Sequence, residues 1–187
     1  MSIYTFTHEA ERPGMSALIV EVPVGEPVAE AIVGNAVWNL VDIYNGTERS
    51  ISLFILDEQY AEGSNTFIVE PYGDDGMGGS GPCPNVEFVT INAVDGATTF
   101  LVADVQMGAS PLGMSGDVGG SEIMTCAYIG GAAMTNIKAT DAGEPSAIKF
   151  SQNTYELHWF WKLGGLASWL FHWDGGLDGI GISLTFS

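Results

Sequence analysis

Few residues in this chain could do chemistry, and their spacing fits no familiar reaction. His8, His158 and His172 are the only imidazoles, and no HxH or HExxH spacing brings two of them to one face. Glu156 would share a strand face with His158. If Gly164-Gly165 closes a tight turn, His158 opposes Phe171 and His172 opposes Leu157, which sends the two rings to opposite faces of a hairpin. A cupin-like metal centre is therefore not expected. Asp74 and Asp75 are adjacent and lack a further acid at calcium-loop spacing, so they read as solvated loop residues. The glycine-rich stretch 73–81 lacks the lysine and the following helix that a phosphate-binding P-loop requires. No G-x-S-x-G elbow offers a serine nucleophile. Cys83 and Cys126 fix neither a metal site nor a disulfide framework, and whether they pair stays open.

One carboxylate pair depends on how the chain turns. Asp95-Gly96 suits a two-residue type I′ turn, so 85–94 and 97–105 are expected to form a hairpin. In that register Ile91 opposes Phe100, Val89 opposes Val102 and Thr90 meets Leu101. Glu87 then falls opposite Asp104. Two carboxylates facing each other cost stability in dilute buffer, so the Glu87/Asp104 pair is expected to be screened by salt. A bridging cation or a catalytic pair of glycosidase type would be the other uses of that geometry.

Aromatic rings concentrate near the C-terminus. Tyr155, Trp159, Phe160, Trp161, Trp169, Phe171 and Trp173 fall within one short stretch that holds four of the five tryptophans. Three destinations are open to them: the core of a sandwich, anchors of an interface, or a platform for a sugar. The possible interface anchors are Trp159, Trp161, Trp169, Phe171 and Trp173. A short helix over 166–173 is an alternative to a strand there, with Leu166, Trp169, Leu170 and Trp173 on one face.

The elements that must carry these residues are strands. Short apolar or alternating segments recur at 2–8, 16–22, 28–41, 50–57, 65–70, 85–94, 97–105, 122–129, 134–139, 146–150, 154–163 and 177–186, with turn residues between them. Such spacing argues for an all-β sandwich or barrel. A helical period competes over 29–39, but Gly34 interrupts it and β-branched residues dominate, so a strand is expected. Long loops are expected at 71–84 and at 106–121, the latter with five glycines. The 187 residues suffice for one core, and nothing in the composition divides them, so one domain over 1–187 is expected.

Charge excludes whole classes of partner. The net charge is -18 because 23 acids meet only five bases, Arg12, Arg49, Lys138, Lys149 and Lys162. Nucleic-acid binding needs basic side chains to displace counterions from phosphates, so no nucleic acid is expected as a ligand. Docking on an anionic leaflet is opposed by the same repulsion, and no apolar run reaches the roughly 18 residues of a spanning helix. The acids are scattered as a solvated coat, which suits either a generic acidic secreted protein or, the favoured reading, a protein of concentrated salt, where the Debye length shrinks to about 3 Å at 1 M. The N-terminus has neither a basic start nor an apolar stretch of signal-peptide length.

Taken together, this charge balance, this N-terminus, the twelve short strands and the lack of a catalytic constellation resemble the smaller major capsid protein of icosahedral, internal-membrane viruses infecting halophilic archaea (sphaerolipovirus-like). The resemblance spans the chain in length, acidity and strand count and carries no signature motif. It implies a single jelly-roll β-sandwich standing upright in a virion shell, synthesised in the host cytoplasm. The implied partners are copies of itself and a second, larger jelly-roll capsid protein, with high salt or cations at the contacts, no nucleic acid and no direct membrane insertion. It implies no enzyme activity and no cofactor. The competing expectation is a carbohydrate-binding or carbohydrate-cleaving β-sandwich of a salt-loving cell, motivated by the aromatic cluster and by Glu87 with Asp104.

Overall fold

The computed structural model describes residues 2–46, 49–74, 76–115, 123–131, 134–140, 150–152, 155–163, 168–176 and 178–187; for 115, 123–131, 140, 150–152, 155–163 and 168–169 it describes the backbone alone. The described residues form strands joined by turns, with no helix among them. The chain divides into two compact units, Met1–Thr98 and Thr99–Ser187.

The first unit carries β1 (Tyr4–Ala10), β2 (Gly14–Pro23), β3 (Ala31–Gly34), β4 (Trp38–Asn45), β5 (Arg49–Leu56), β6 (Gly63–Asp74), β7 (Ser80–Pro82) and β8 (Phe88–Asp95). One sheet runs β4-β5-β2-β8; the other runs β1-β6-β3, with β7 also on β6. All pairings are antiparallel. In β1 the alternation Tyr-Thr-Phe-Thr-His-Glu-Ala leaves Thr5, Thr7 and Glu9 exposed and turns the others inward, the period-two signature of a strand with one wet face. β2 and β5 read instead as nearly continuous apolar runs, and every residue from Gly14 to Val22 and from Arg49 to Leu56 is buried. Leu18, Val20, Phe54, Leu56, Val89 and Trp38 from one sheet share a cluster with Phe67, Val69 and Ala10 from the other, which makes this unit a sandwich. Trp38 and Tyr60 each meet the Phe67 ring edge-on, at centroid distances of 5.9 and 6.2 Å.

The second unit carries β9 (Phe100–Gly108), β10 (Leu112–Ser115), β11 (Ile123–Gly131), β12 (Thr135–Thr140), β13 (Phe150–Gln152), β14 (Tyr155–Leu163), β15 (Ser168–Asp174) and β16 (Gly179–Phe186). Its sheets run β13-β14-β11-β16-β9 and β10-β15-β12, again wholly antiparallel. β16 alternates glycine or polar residues with Ile180, Ile182, Leu184 and Phe186, and it is buried along its full length. β10 packs closely on β16 at Gly181, where a Cβ would lie 2.6 Å from Met114 Sδ.

The expected all-β architecture of antiparallel sheets is thus present. The segment 28–41 divides into β3 and β4, which join different sheets. At the break, Asn35 substitutes its side chain for ladder bonds: its Nδ2 donates to Thr66 O at 2.7 Å and its Oδ1 accepts from Ile68 N at 2.8 Å. The expected loop 71–84 is partly a hairpin of β6 with β7, and β10 lies within the expected loop 106–121. Residues 168–174 form strand β15 and not a helix. The expected strand over 146–150 lies outside the described residues except for Phe150.

Two expected hairpins do not form. β14 pairs with β11 and β13 while β15 pairs with β10 and β12, so His158 faces Tyr128 and His172 faces Lys138. Likewise β8 pairs with β2, and β9 pairs with β16. The partner of Ile91 is Leu18 and that of Phe100 is Phe186. A turn does occur at Asp95-Gly96, closed by Ala97 N donating to Val94 O at 3.2 Å. However, Gly96 has φ +85° while Asp95 does not enter the positive-φ region. A type I′ turn needs both central residues there; one glycine at the third position is the type II form, whose twist splays strands apart. Asp95 is held in this conformation because its carboxylate accepts from Tyr60 Oη at 2.7 Å and from Glu11 N at 2.8 Å, and lies 2.8 Å from His8 Nε2. We expect Asp95→Ala, which strands these donors, to lower the unfolding free energy by about 1–3 kcal/mol in denaturant titrations; an unchanged midpoint would show that the cluster contributes nothing.

Candidate functional site

The expected anchors separate into two groups. Phe171 and Trp173 are buried, at 0% and 4% exposure, so both belong to the interior of the folded chain. The side chains of Trp159, Trp161 and Trp169 lie outside what is described; their backbones pair with Ala127, Thr125 and Met114. Trp38 is also buried, so both tryptophans whose side chains are described, Trp38 and Trp173, lie in the interior.

The two acids expected to face each other find other neighbours. Asp104 pairs with Ser183 across β9 and β16, and its carboxylate accepts from Gln106 Nε2 at 2.9 Å. Glu87 precedes β8, where its N–H donates to Glu21 O at 2.8 Å. The hairpin that would have set Glu87 against Asp104 is not made, because the turn between them is of the splaying kind.

In its place the fold builds an acid pair that periodicity does not reveal. Glu21 sits in the apolar run Ala-Leu-Ile-Val-Glu-Val of β2 and is wholly buried, and neither carboxylate oxygen accepts from an N–H donor. Arg49 Nη1 lies 3.6 Å from Glu21 Oε1, an ion pair too long for a hydrogen bond. Burial pushes the Glu21 carboxyl up to about 8; Arg49 pulls it down and neighbouring Glu87 pushes it up again. The ion-pair geometry alone would suggest a depressed value. Desolvation outweighs it, because a single guanidinium at that distance does not replace the water both oxygens have lost. Near neutral pH Glu21 is therefore a protonated acid beside Glu87. The signal that could have exposed it is a lone glutamate inside an otherwise apolar central strand.

Asp95, His8 and Tyr60 have the outward look of a catalytic relay, with His8 and Tyr60 rings edge-on at 5.3 Å. Burial would raise the Asp95 carboxyl, but the bonds from His8, Tyr60 and Glu11 N–H hold it below the usual carboxylate range. The Tyr60 phenol is driven far above its ordinary value by burial and by Asp95. The carboxylate thus stays charged and the phenol stays protonated near neutral pH, and the cluster ties β1 to β8.

Asp74 Oδ1 accepts from Gly76 N at 2.8 Å, which makes it a turn residue; Asp75 lies outside the described residues. Cys83 is a free, buried thiol pushed up to about 11 by burial and by Glu30, while the side chain of Cys126 lies outside what is described. Among the described residues no three of His, Cys, Asp and Glu converge as metal ligands. Compared with known proteins, the chain matches no family model, no curated sequence and no solved structure.

The buried acid pair makes a pH prediction. The folded-state pKa of Glu21 is raised from 4.5 to about 8. Its protonated form therefore favours folding fully below 4.5, and that contribution is lost as pH rises through about 8. Unfolding midpoints should fall across this window in the native chain, and Glu21→Gln should flatten the fall by a few kcal/mol at its alkaline end. Parallel pH profiles for the two chains would refute the assignment.

Proposed function

We propose that the chain is a structural subunit of a shell assembled in concentrated salt, of the kind its resemblance to the smaller capsid proteins of haloarchaeal internal-membrane viruses implies. The observation that carries this reading is the strand order of the second unit. Numbered one to eight from β9 to β16, its sheets run 5-6-3-8-1 and 2-7-4. The winding 1-8-3-6 beside 2-7-4 supports a jelly roll, in which the first strand lies beside the last, with strand 5 set next to strand 6 instead of strand 4. In this reading the jelly roll is the second unit, and the first unit is an additional sandwich that precedes it in sequence.

The charge balance supports the same reading. Copies bearing -18 each repel one another over a Debye length of about 10 Å at 0.1 M salt and over about 3 Å at 1 M. Close packing of such copies, and of a second jelly-roll subunit beside them, is then a matter of screening, and salt or cations at the contacts are part of the assembly. A shell whose inner neighbour is a lipid layer needs no basic lining for a genome, in keeping with only five Lys and Arg.

Electron microscopy and sedimentation of the full chain in molar KCl test this directly, with and without a co-expressed second subunit. Ordered patches or closed shells are expected that dissociate as salt is diluted toward about 0.1 M. A chain that stays monomeric at every salt concentration, alone and with jelly-roll proteins from its source, would sink the proposal.

A further inference from the structure

The outer face of the sheet β10-β15-β12 carries a polar cleft that the assembly reading leaves unused. Its volume is about 540 Å³, a size suited to a small ligand. Strand alternation builds it. In β15, Phe171 and Trp173 turn inward and are buried, so His172 and Asp174 share the opposite face, two residues or about 7 Å apart. Lys138 on β12 is the cross-strand partner of His172, which sets ammonium and imidazole side by side.

The other end of the cleft is shaped by an irregularity. The register of β12 against β15 slips between Thr135 and Lys138, and within that bulge Asn136 adopts φ 54°, a conformation rare outside glycine. This turns its amide toward the strand opposite, where Nδ2 donates to Asp174 Oδ2. Beneath, Ser110 Oγ accepts from Trp173 N at 3.0 Å and fixes the floor. Strained backbone that aims an amide at a carboxylate in a cleft is a feature of built sites more than of plain sheet surface.

The two ends ask for different groups. Lys138 and His172 have no ion-pair or hydrogen-bond partner among the described residues, although the chain is rich in acids. A ligand carboxylate would satisfy both, and in concentrated salt the remote negative charges that would repel it are screened within a few ångström. Asp174 and Asn136 offer the complementary pattern: carboxylate oxygens to accept from hydroxyls and an amide able to donate and accept, as vicinal hydroxyls require. A metal ion would be opposed by Lys138, and a bare carboxylate would leave Asp174 unmatched.

We propose that this cleft binds an acidic sugar, a hexuronate or a glycan ending in one, with its carboxylate between Lys138 and His172 and its vicinal hydroxyls on Asp174 and Asn136. The site lies within the second unit and stands whether or not the chain assembles into a shell.

Calorimetric titration of the full chain in molar KCl with glucuronate, glucose and acetate tests it. Glucuronate should bind saturably, with glucose and acetate each weaker by about tenfold or more, since each lacks one of the two recognised groups. Lys138→Met, a change at an exposed position, should bring glucuronate down to the level of glucose. Asp174→Asn should weaken glucose and glucuronate alike. No saturable glucuronate binding, equal binding of acetate, or an unaltered affinity in Lys138→Met would each overturn the proposal.

Discussion

The carboxylate of Asp95 gathers three groups from two segments distant in sequence: the ring of His8 and the N–H of Glu11 from the N-terminal segment, and the phenol of Tyr60. Because Asp95 is the last residue of β8, what holds its side chain also sets the direction in which the chain leaves the first unit. Gly96 turns with positive φ, its N–H goes to Pro13 O at 2.9 Å, and the chain does not double back. At the first residue of the second unit, Thr99 exchanges both backbone hydrogen bonds with Ser187, so that β9 begins beside the last strand of the chain and not beside β8. One partly exposed carboxylate therefore stands where the chain passes from the first unit to the second.

This explains which parts of the fold could be read from residues alone. Strand existence was legible because period-two alternation in β1 and unbroken apolar runs in β2, β5 and β16 are local patterns. Pairing was not. Asp-Gly is a strong hairpin signal only if both residues are free to enter the left-handed region, and Asp95 is occupied by partners 35, 84 and 87 residues away. The same holds at Gly164-Gly165, where a turn dipeptide said nothing of the fact that β14 and β15 belong to different sheets. The expected pair of Glu87 with Asp104 is not made, and the carboxyl beside Glu87 is that of Glu21. The cleft residues escaped notice because Lys138 and His172 are 34 positions apart, and only register brings them together.

Glu21 and the cleft illustrate two opposite ways of handling polar groups in a β protein. Glu21 is placed where no water reaches it and gives up its charge; the cost of ionising it is a cost the fold avoids by keeping the proton. Lys138, His172 and Asp174 keep water on the outer face, and the bulge at Asn136 gives them a fixed arrangement without burying them. Both depend on central strands that are already committed: β2 is buried on both faces whatever Glu21 does, and β15 is pinned on its inner face by Phe171 and Trp173.

The distribution of indole rings has a spectroscopic corollary. Trp38, seated edge-on against Phe67, is the sole tryptophan of Met1–Thr98, whereas the remaining four fall in Thr99–Ser187. Emission from the intact chain is thus weighted heavily toward its later half, and replacing Trp38 by phenylalanine silences the earlier half altogether. Fluorescence recorded on both versions distinguishes melting of one sandwich from melting of the other without any label being attached.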